Sequence, residues 1–360
     1  MSENAQRQRS NYLDNIKGVL ILLVVFGHFL LDYQDNDIIK GIVQLIYLFH
    51  MPAFVFKSGY LSKSTNSRGI VSLLKLFSAY YIFNGLFLVL NIIRDGEVSV
   101  TEPYLSYWYL IAMIAWRLSI DVISKIKYAQ PLSVLLALFV GFCPEVGDVL
   151  AMSRIVAFYP FFLWGYRFSR ESMQKYGEIK AAKKLCIGFA LMAASAGAGV
   201  LAGQMLTLTD ANLTMEPYTG WEELAVRVVM FVISTAAIFM LLTITTDRKL
   251  PLITMAGRNS LSVFLLHRIF PLVYIKLIAA VFGEAPSAVI ILSTALVCTL
   301  GIMLVFGLDM VNRLVNRITS VGATVICPDA GQQSFGNSVI KAGYLVLTLV
   351  MLGLIIYKFI

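Results

Sequence analysis

Apolar residues run through this chain in long blocks separated by short polar stretches, rather than alternating with polar positions one by one. A block of about 20 such residues, rising 1.5 Å each, matches a hydrocarbon core of about 30 Å. On that length the pattern predicts spans over 15–33, 38–60, 70–93, 105–123, 131–147, 151–169, 183–205, 225–246, 259–282, 287–311 and 341–359. The segment 131–147 is the shortest and ends in a polar Cys-Pro-Glu run, so the expected fold is an all-α, polytopic membrane bundle of 10–11 transmembrane helices. The organisation read from it is an amino-terminal tail over 1–14, a ten-span core over 15–311, a loop over 312–340 and an additional helix over 341–360.

Bases in the short loops set the orientation, because Lys and Arg stay on the cytoplasmic side and acidic residues count for little. Arg7 and Arg9, Lys63 and Arg68, Lys125 and Lys127, the cluster from Arg170 to Lys184, Arg248 and Lys249, and Arg313 and Arg317 all fall on one side. The opposite loops are acidic, with Asp32, Asp35, Asp37, Asp95, Glu97, Glu145 and Glu284. The amino terminus and the loop 312–340 are therefore expected in the cytoplasm.

Composition agrees with residence in lipid: 58% of residues are hydrophobic, 14% are charged, and the mean hydropathy is +0.78. A net charge of +8 would suggest nucleic acid in a soluble protein. Here the bases are dispersed over loop ends, where contact with membrane lipid accounts for them, and nucleic-acid binding is rejected. The first apolar run continues for about 19 residues without a small-residue cleavage site, so it is expected to stay as a helix. Cys143, Cys186, Cys298 and Cys327 show no metal spacing and are read as packing residues.

The chain has 3 histidines, and each lies inside an apolar block: His28 in VVFGHFL, His50 in YLFHMPAF, His267 in FLLHRIF. Ionisable groups at membrane depth are costly, so a functional site is their default reading. Lys17 and His28 stand eleven residues apart, which returns to within about 20° of the same helix face, about 16 Å along the axis. Asp14 begins the same stripe. In the second span Pro52 can kink the helix, and Ser58 and Gly59 allow close approach. In the ninth, Asn259 and Ser260 can cap the start, with His267 about 12 Å further in and Arg268 beside it. No carboxylate or thiolate stands at ligand spacing to these histidines, so no metal is expected.

The segments YLDNIKGVLILLVVFGHF, FHMPAFVFKSGYL, WYL at Trp108 to Leu110, FYPFFLWGYRF and GRNSLSVFLLH, in this order, resemble the membrane-bound acyltransferase-3 family. The likeness is nearest to its sugar O-acetylase branch, similar to fucose 4-O-acetylases. That resemblance implies an integral membrane O-acyltransferase of the bacterial cytoplasmic (inner) membrane, moving an acyl group, usually acetyl, from cytoplasmic acetyl-CoA to a hydroxyl of a cell-surface or lipid-linked carbohydrate. Acetyl-CoA is the implied cosubstrate and a carbohydrate or glycolipid the implied acceptor.

In the family the first helix bears a basic residue, ten intervening residues and a histidine, which here are Lys17 and His28. His28 is then the candidate base, or the transient carrier of the acyl group. His50 or His267 is the candidate to protonate the leaving thiolate or to stabilise the oxyanion. Lys17, Lys63, Arg68 and Arg258 are candidates to hold the CoA phosphates, with Asp14, Ser58, Asn259, Ser260 and Arg268 in support. Some members carry an extracytoplasmic hydrolase-like domain. No stretch here is long enough for one, which implies action alone or with a separate extracytoplasmic transferase partner. The third span also lacks the arginine-rich, proline-containing form of many members, leaving its arginine role to Arg68 or Lys75. The competing class is a multi-span transporter or flippase, with Arg117, Arg154, Arg268 and Lys276 along a substrate path. Tyr104, Tyr107, Trp108, Tyr218 and Trp221 are read near the outer surface, as sugar platforms or an interfacial belt.

Overall fold

The computed structural model describes residues 11–64, 69–95, 102–147, 149–179, 215–283, 286–321 and 323. The longest apolar blocks become the longest helices: α1 (Asn11–Leu30), α2 (Asp37–Leu61), α3 (Ile70–Asp95), α8 (Glu222–Ile244) and α12 (Ala288–Phe306). Between them lie α4 (Trp108–Ile123), α5 (Ala129–Phe139), α6 (Met152–Arg167), α7 (Arg170–Glu178), α9 (Pro251–Arg258), α10 (Ser260–Leu266), α11 (Ile269–Phe282) and α13 (Asp309–Thr319). The described residues are helices and connections with no strand, an all-α membrane bundle as expected.

Among the described residues six helical segments are long and apolar enough to cross a membrane, and α10 with α11 form a seventh if the bent pair is one span. The pair turns by 55° at His267 and Arg268, where the sequence reading had one straight helix over 259–282. The block 105–123 gives a 16-residue helix entered through a 3-10 turn over Leu105–Tyr107, whereas 131–147 gives an 11-residue helix followed by 3-10 turns, short of a full crossing. The stretch read as a loop from 312 begins inside a helix, α13, whose Val315 and Thr319 are buried. The proposed spans 183–205 and 341–359 lie outside the described residues.

The chain forms two compact units. The first takes in α1, α2 as far as Phe54, α7, most of α8, and α9 to α12. Its centre is the crossing of α1 with α9, where Gly18 faces Ile253 and Gly257 faces Asp14 and Gly18 with no room for a side chain. Small residues are what let helix backbones approach in lipid, where burying apolar surface gives no drive to association. Asn15, fully buried, ties the same crossing: its Nδ2 donates to the carbonyls of Thr246 and Arg248, both at 2.8 Å, and its Oδ1 accepts from Thr254 Oγ1 at 2.6 Å.

The second unit holds the end of α2, α3 to α6, and the segment 214–224. Gly59 of α2 abuts Phe162 of α6, and Gly165 of α6 abuts Phe56 of α2, a reciprocal fit of two small residues. Trp116 donates from Nε1 to the Ile155 carbonyl at 2.8 Å, so the largest buried side chain of this unit keeps its polar edge satisfied. Of the aromatics expected near the outer surface, Tyr107 and Trp108 are buried in this unit and Trp221 is exposed.

Candidate functional site

Two of the three histidines meet in the first unit. His28, two residues before the end of α1, places Nδ1 2.8 Å from Nε2 of His267, which closes α10. The rings are parallel to within 5°, with centroids 5.0 Å apart, so the contact runs end to end rather than face to face. His267 is held from behind by its own helix: Nδ1 lies 2.8 Å from the Phe264 carbonyl and 3.2 Å from that of Val263. The Phe264 carbonyl lies in the last turn of α10, where backbone acceptors run out of amides, while the Val263 carbonyl also accepts from the His267 backbone N–H at 3.1 Å. His28 is 9% exposed and His267 0%, so both rings are buried and the little surface the pair keeps belongs to His28.

His50 stands apart from this bond. It is buried on α2, with Nδ1 2.7 Å from the Ile46 carbonyl one turn earlier and its ring edge-on to Tyr47 at 4.7 Å. The structure thus pairs two of the three candidates and engages the third within its own helix. Arg268, at the bend, is also buried. Among the described residues no group of three or more His, Cys, Asp or Glu could hold a metal ion.

The supporting candidates divide by what they touch. Lys17 pairs with Asp14 at 2.9 Å one turn back on α1, on the stripe that leads to His28. Arg258 is held by Asp309, with Nη2 2.8 Å from both carboxylate oxygens. Asn259 occupies the position before α10, yet its side chain does not cap that helix. Instead Nδ2 reaches the Gly307 carbonyl and Asp309 Oδ1, both at 2.7 Å, joining α10 to the start of α13. Ser260 opens α10. In the second unit Ser58 bonds the Tyr109 hydroxyl at 2.5 Å, and Lys63 lies 4.8 Å from the Tyr60 ring centre. Arg68 lies outside the described residues.

Two polar residues, Asn15 and Lys57, went unassigned in the sequence reading, and a third, Arg117, was given another role. Asn15 follows Asp14 directly, yet nothing in a single asparagine at a helix start announces its three partners. Lys57 is 1% exposed on α2, with its ammonium 5.0 Å from the Tyr60 ring centre. A base inside an apolar run, seven positions after His50 and so on the same helix face, was the available signal. Arg117, read only as part of a transport path, donates to Ser62 Oγ at 3.3 Å and Ser72 Oγ at 3.1 Å.

An apolar cavity of about 300 Å³ runs between α11 and α12, lined among others by Phe29, Phe270, Tyr274, Cys298, Ile302 and Phe306; neither His28 nor His267 lines it.

Comparison with known proteins places these features in a family. A family model described as an acyltransferase domain matches residues 10–307. The chain is 27% identical over 184 residues to nodulation protein NolL of Sinorhizobium fredii, the match covering 44% of this chain and 48% of the relative. It is 28% identical over 180 residues to nodulation protein NolL of Mesorhizobium japonicum, covering 44% and 47%. The matched stretch thus spans about half the length of these curated relatives. No solved structure matches.

Proposed function

We propose, because the chain belongs to the acyltransferase-3 family, that it moves an acyl group, acetyl in the first instance, from acyl-CoA to a hydroxyl of a cell-surface or lipid-linked carbohydrate. The observation that carries the reading is His28, an imidazole at membrane depth, hydrogen-bonded end to end to a second imidazole inside the family's matched region. A sugar hydroxyl is a weak nucleophile until a base takes its proton, and histidine titrates in the useful range.

In this reaction His28 takes the proton as the hydroxyl oxygen forms a bond to the thioester carbonyl carbon. The tetrahedral intermediate then collapses, the carbon–sulfur bond breaks, and the proton passes to the CoA thiolate. Products are an O-acyl sugar and CoA thiol, with no other co-reactant. His50 is the candidate to steady the oxyanion or to deliver the proton to sulfur. Lys17 and Arg258, both of the first unit, are assigned to the phosphates of CoA on the cytoplasmic side of an inner membrane. The cavity between α11 and α12 suits the apolar tail of a lipid-linked acceptor, since it is lined by hydrocarbon and aromatic side chains.

Purified protein in nanodiscs should release CoA thiol from acetyl-CoA only when a carbohydrate acceptor is supplied. Uptake of a sugar into sealed vesicles with no thiol release would support the transporter reading instead.

A further inference from the structure

The proton on His267 is fixed by its surroundings. A carbonyl oxygen only accepts, so Nδ1, 2.8 Å from Phe264 O and 3.2 Å from Val263 O, carries the hydrogen and donates. In a neutral imidazole the other nitrogen then bears the lone pair. That nitrogen, Nε2, is the atom that meets His28 Nδ1 at 2.8 Å. His28 must therefore donate from Nδ1, which leaves its own lone pair on Nε2.

We infer that His267 is a positioning residue that locks His28 in the Nδ1–H tautomer and makes His28 Nε2 the basic atom of the proposed transfer. The inference rests on the acyltransferase reading above, and it gives His267 a role different from the acid or oxyanion donor that its position in the family motif suggested. Ring geometry supports it: with planes parallel to 5° and centroids 5.0 Å apart, the short contact lies along the line of centres and in the plane of both rings. That is the direction of the imidazole lone pair. Burial is in keeping with it, because His267 is 0% exposed and the small surface the pair keeps, 9% of His28, is on the residue given the base role. When His28 Nε2 takes the hydroxyl proton, its Nδ1–H still points at a lone pair, and the new positive charge is shared toward two backbone carbonyls.

The test compares His267→Ala and His267→Gln in purified, reconstituted protein, measuring kcat, the KM for acetyl-CoA and the pH profile. A glutamine can accept from His28 Nδ1–H through its carbonyl while its amide donates to the helix. His267→Ala should lower kcat by ~100-fold or more, the scale of general-base catalysis, with the KM for acetyl-CoA changed less than ~3-fold. His267→Gln should recover at least ~10-fold of that loss and shift the acidic limb of the pH profile relative to wild type. If the alanine variant does not purify as a monodisperse species, His267→Leu fills the space without the hydrogen bond and takes its place. A glutamine variant as inactive as alanine, though folded and binding acetyl-CoA, would overturn the inference, as would an alanine variant with wild-type kcat. Wild-type protein that transfers no acetyl group at all would instead sink the acyltransferase reading.

Discussion

Gly257 of α9 lies against the backbone of Asp14 in α1 so closely that a methyl group there would overlap the Asp14 carbonyl oxygen. The contact fixes the stripe of α1 that runs from Asp14 and Lys17 toward His28. Gly257→Ala must push two backbones apart, and overpacking of this kind costs about 1–3 kcal/mol. Thermal unfolding in detergent should show a lowered midpoint for Gly257→Ala. Gly41→Ala, at a helical position with nothing within 4 Å of the added carbon, should leave the midpoint unchanged or slightly higher.

Asn15 should be as sensitive to loss as Gly257 is to gain. Its side chain satisfies two carbonyls and a threonine hydroxyl across the α1–α9 crossing. Each buried group left unsatisfied costs about 1–3 kcal/mol. Asn15→Ala should lower the unfolding midpoint more than Thr254→Val, which removes one bond of the three.

Ser58 and Tyr109 share a bond of 2.5 Å in the second unit. A double-mutant cycle of Ser58→Ala and Tyr109→Phe should return a coupling of about 1 kcal/mol in stability. Fully additive losses would mean that the bond contributes nothing measurable.

Lys17 tests the placement of the donor. If its ammonium holds a CoA phosphate, Lys17→Ala should raise the KM for acetyl-CoA by ~10-fold, equivalent to about 1.4 kcal/mol, and change kcat less than ~3-fold. An unchanged KM would leave Lys17 as the partner of Asp14 only.

How much of this was legible follows from what each feature depends on. Block length alone located α1, α2, α3, α8 and α12 to within a few residues, because crossing lipid demands a long apolar run whatever the neighbours are. The bend at His267 and Arg268 had a signal that the sequence reading passed over: Pro271, three residues after Arg268, cannot donate to the carbonyl of His267 four positions back, and its ring crowds that carbonyl. The ring that takes up the last carbonyls of α10 becomes visible only in three dimensions. The helix α13 was readable in principle, since Met310, Val311, Leu314, Val315 and Ile318 recur at helical spacing, but its polar residues argued for a loop. In the site, an apolar setting singled out all three histidines. That His28 bonds His267, 239 positions away, and that His50 bonds its own helix depend on tertiary packing, which spacing does not encode. Asn259 shows the same limit: it stands where a cap belongs, yet its side chain is drawn off by Asp309.

The most direct measurement follows radiolabelled acetyl from acetyl-CoA in membranes containing the wild type or His28→Ala, with lipid, polysaccharide and protein fractions separated afterwards. Label should enter a carbohydrate-containing fraction with the wild type and fall by ~100-fold or more with His28→Ala, both proteins being present at equal levels. Label that enters the same fraction equally with the two proteins would contradict the role given to His28. No label in any fraction, with native acceptors present, would contradict the acyl transfer itself.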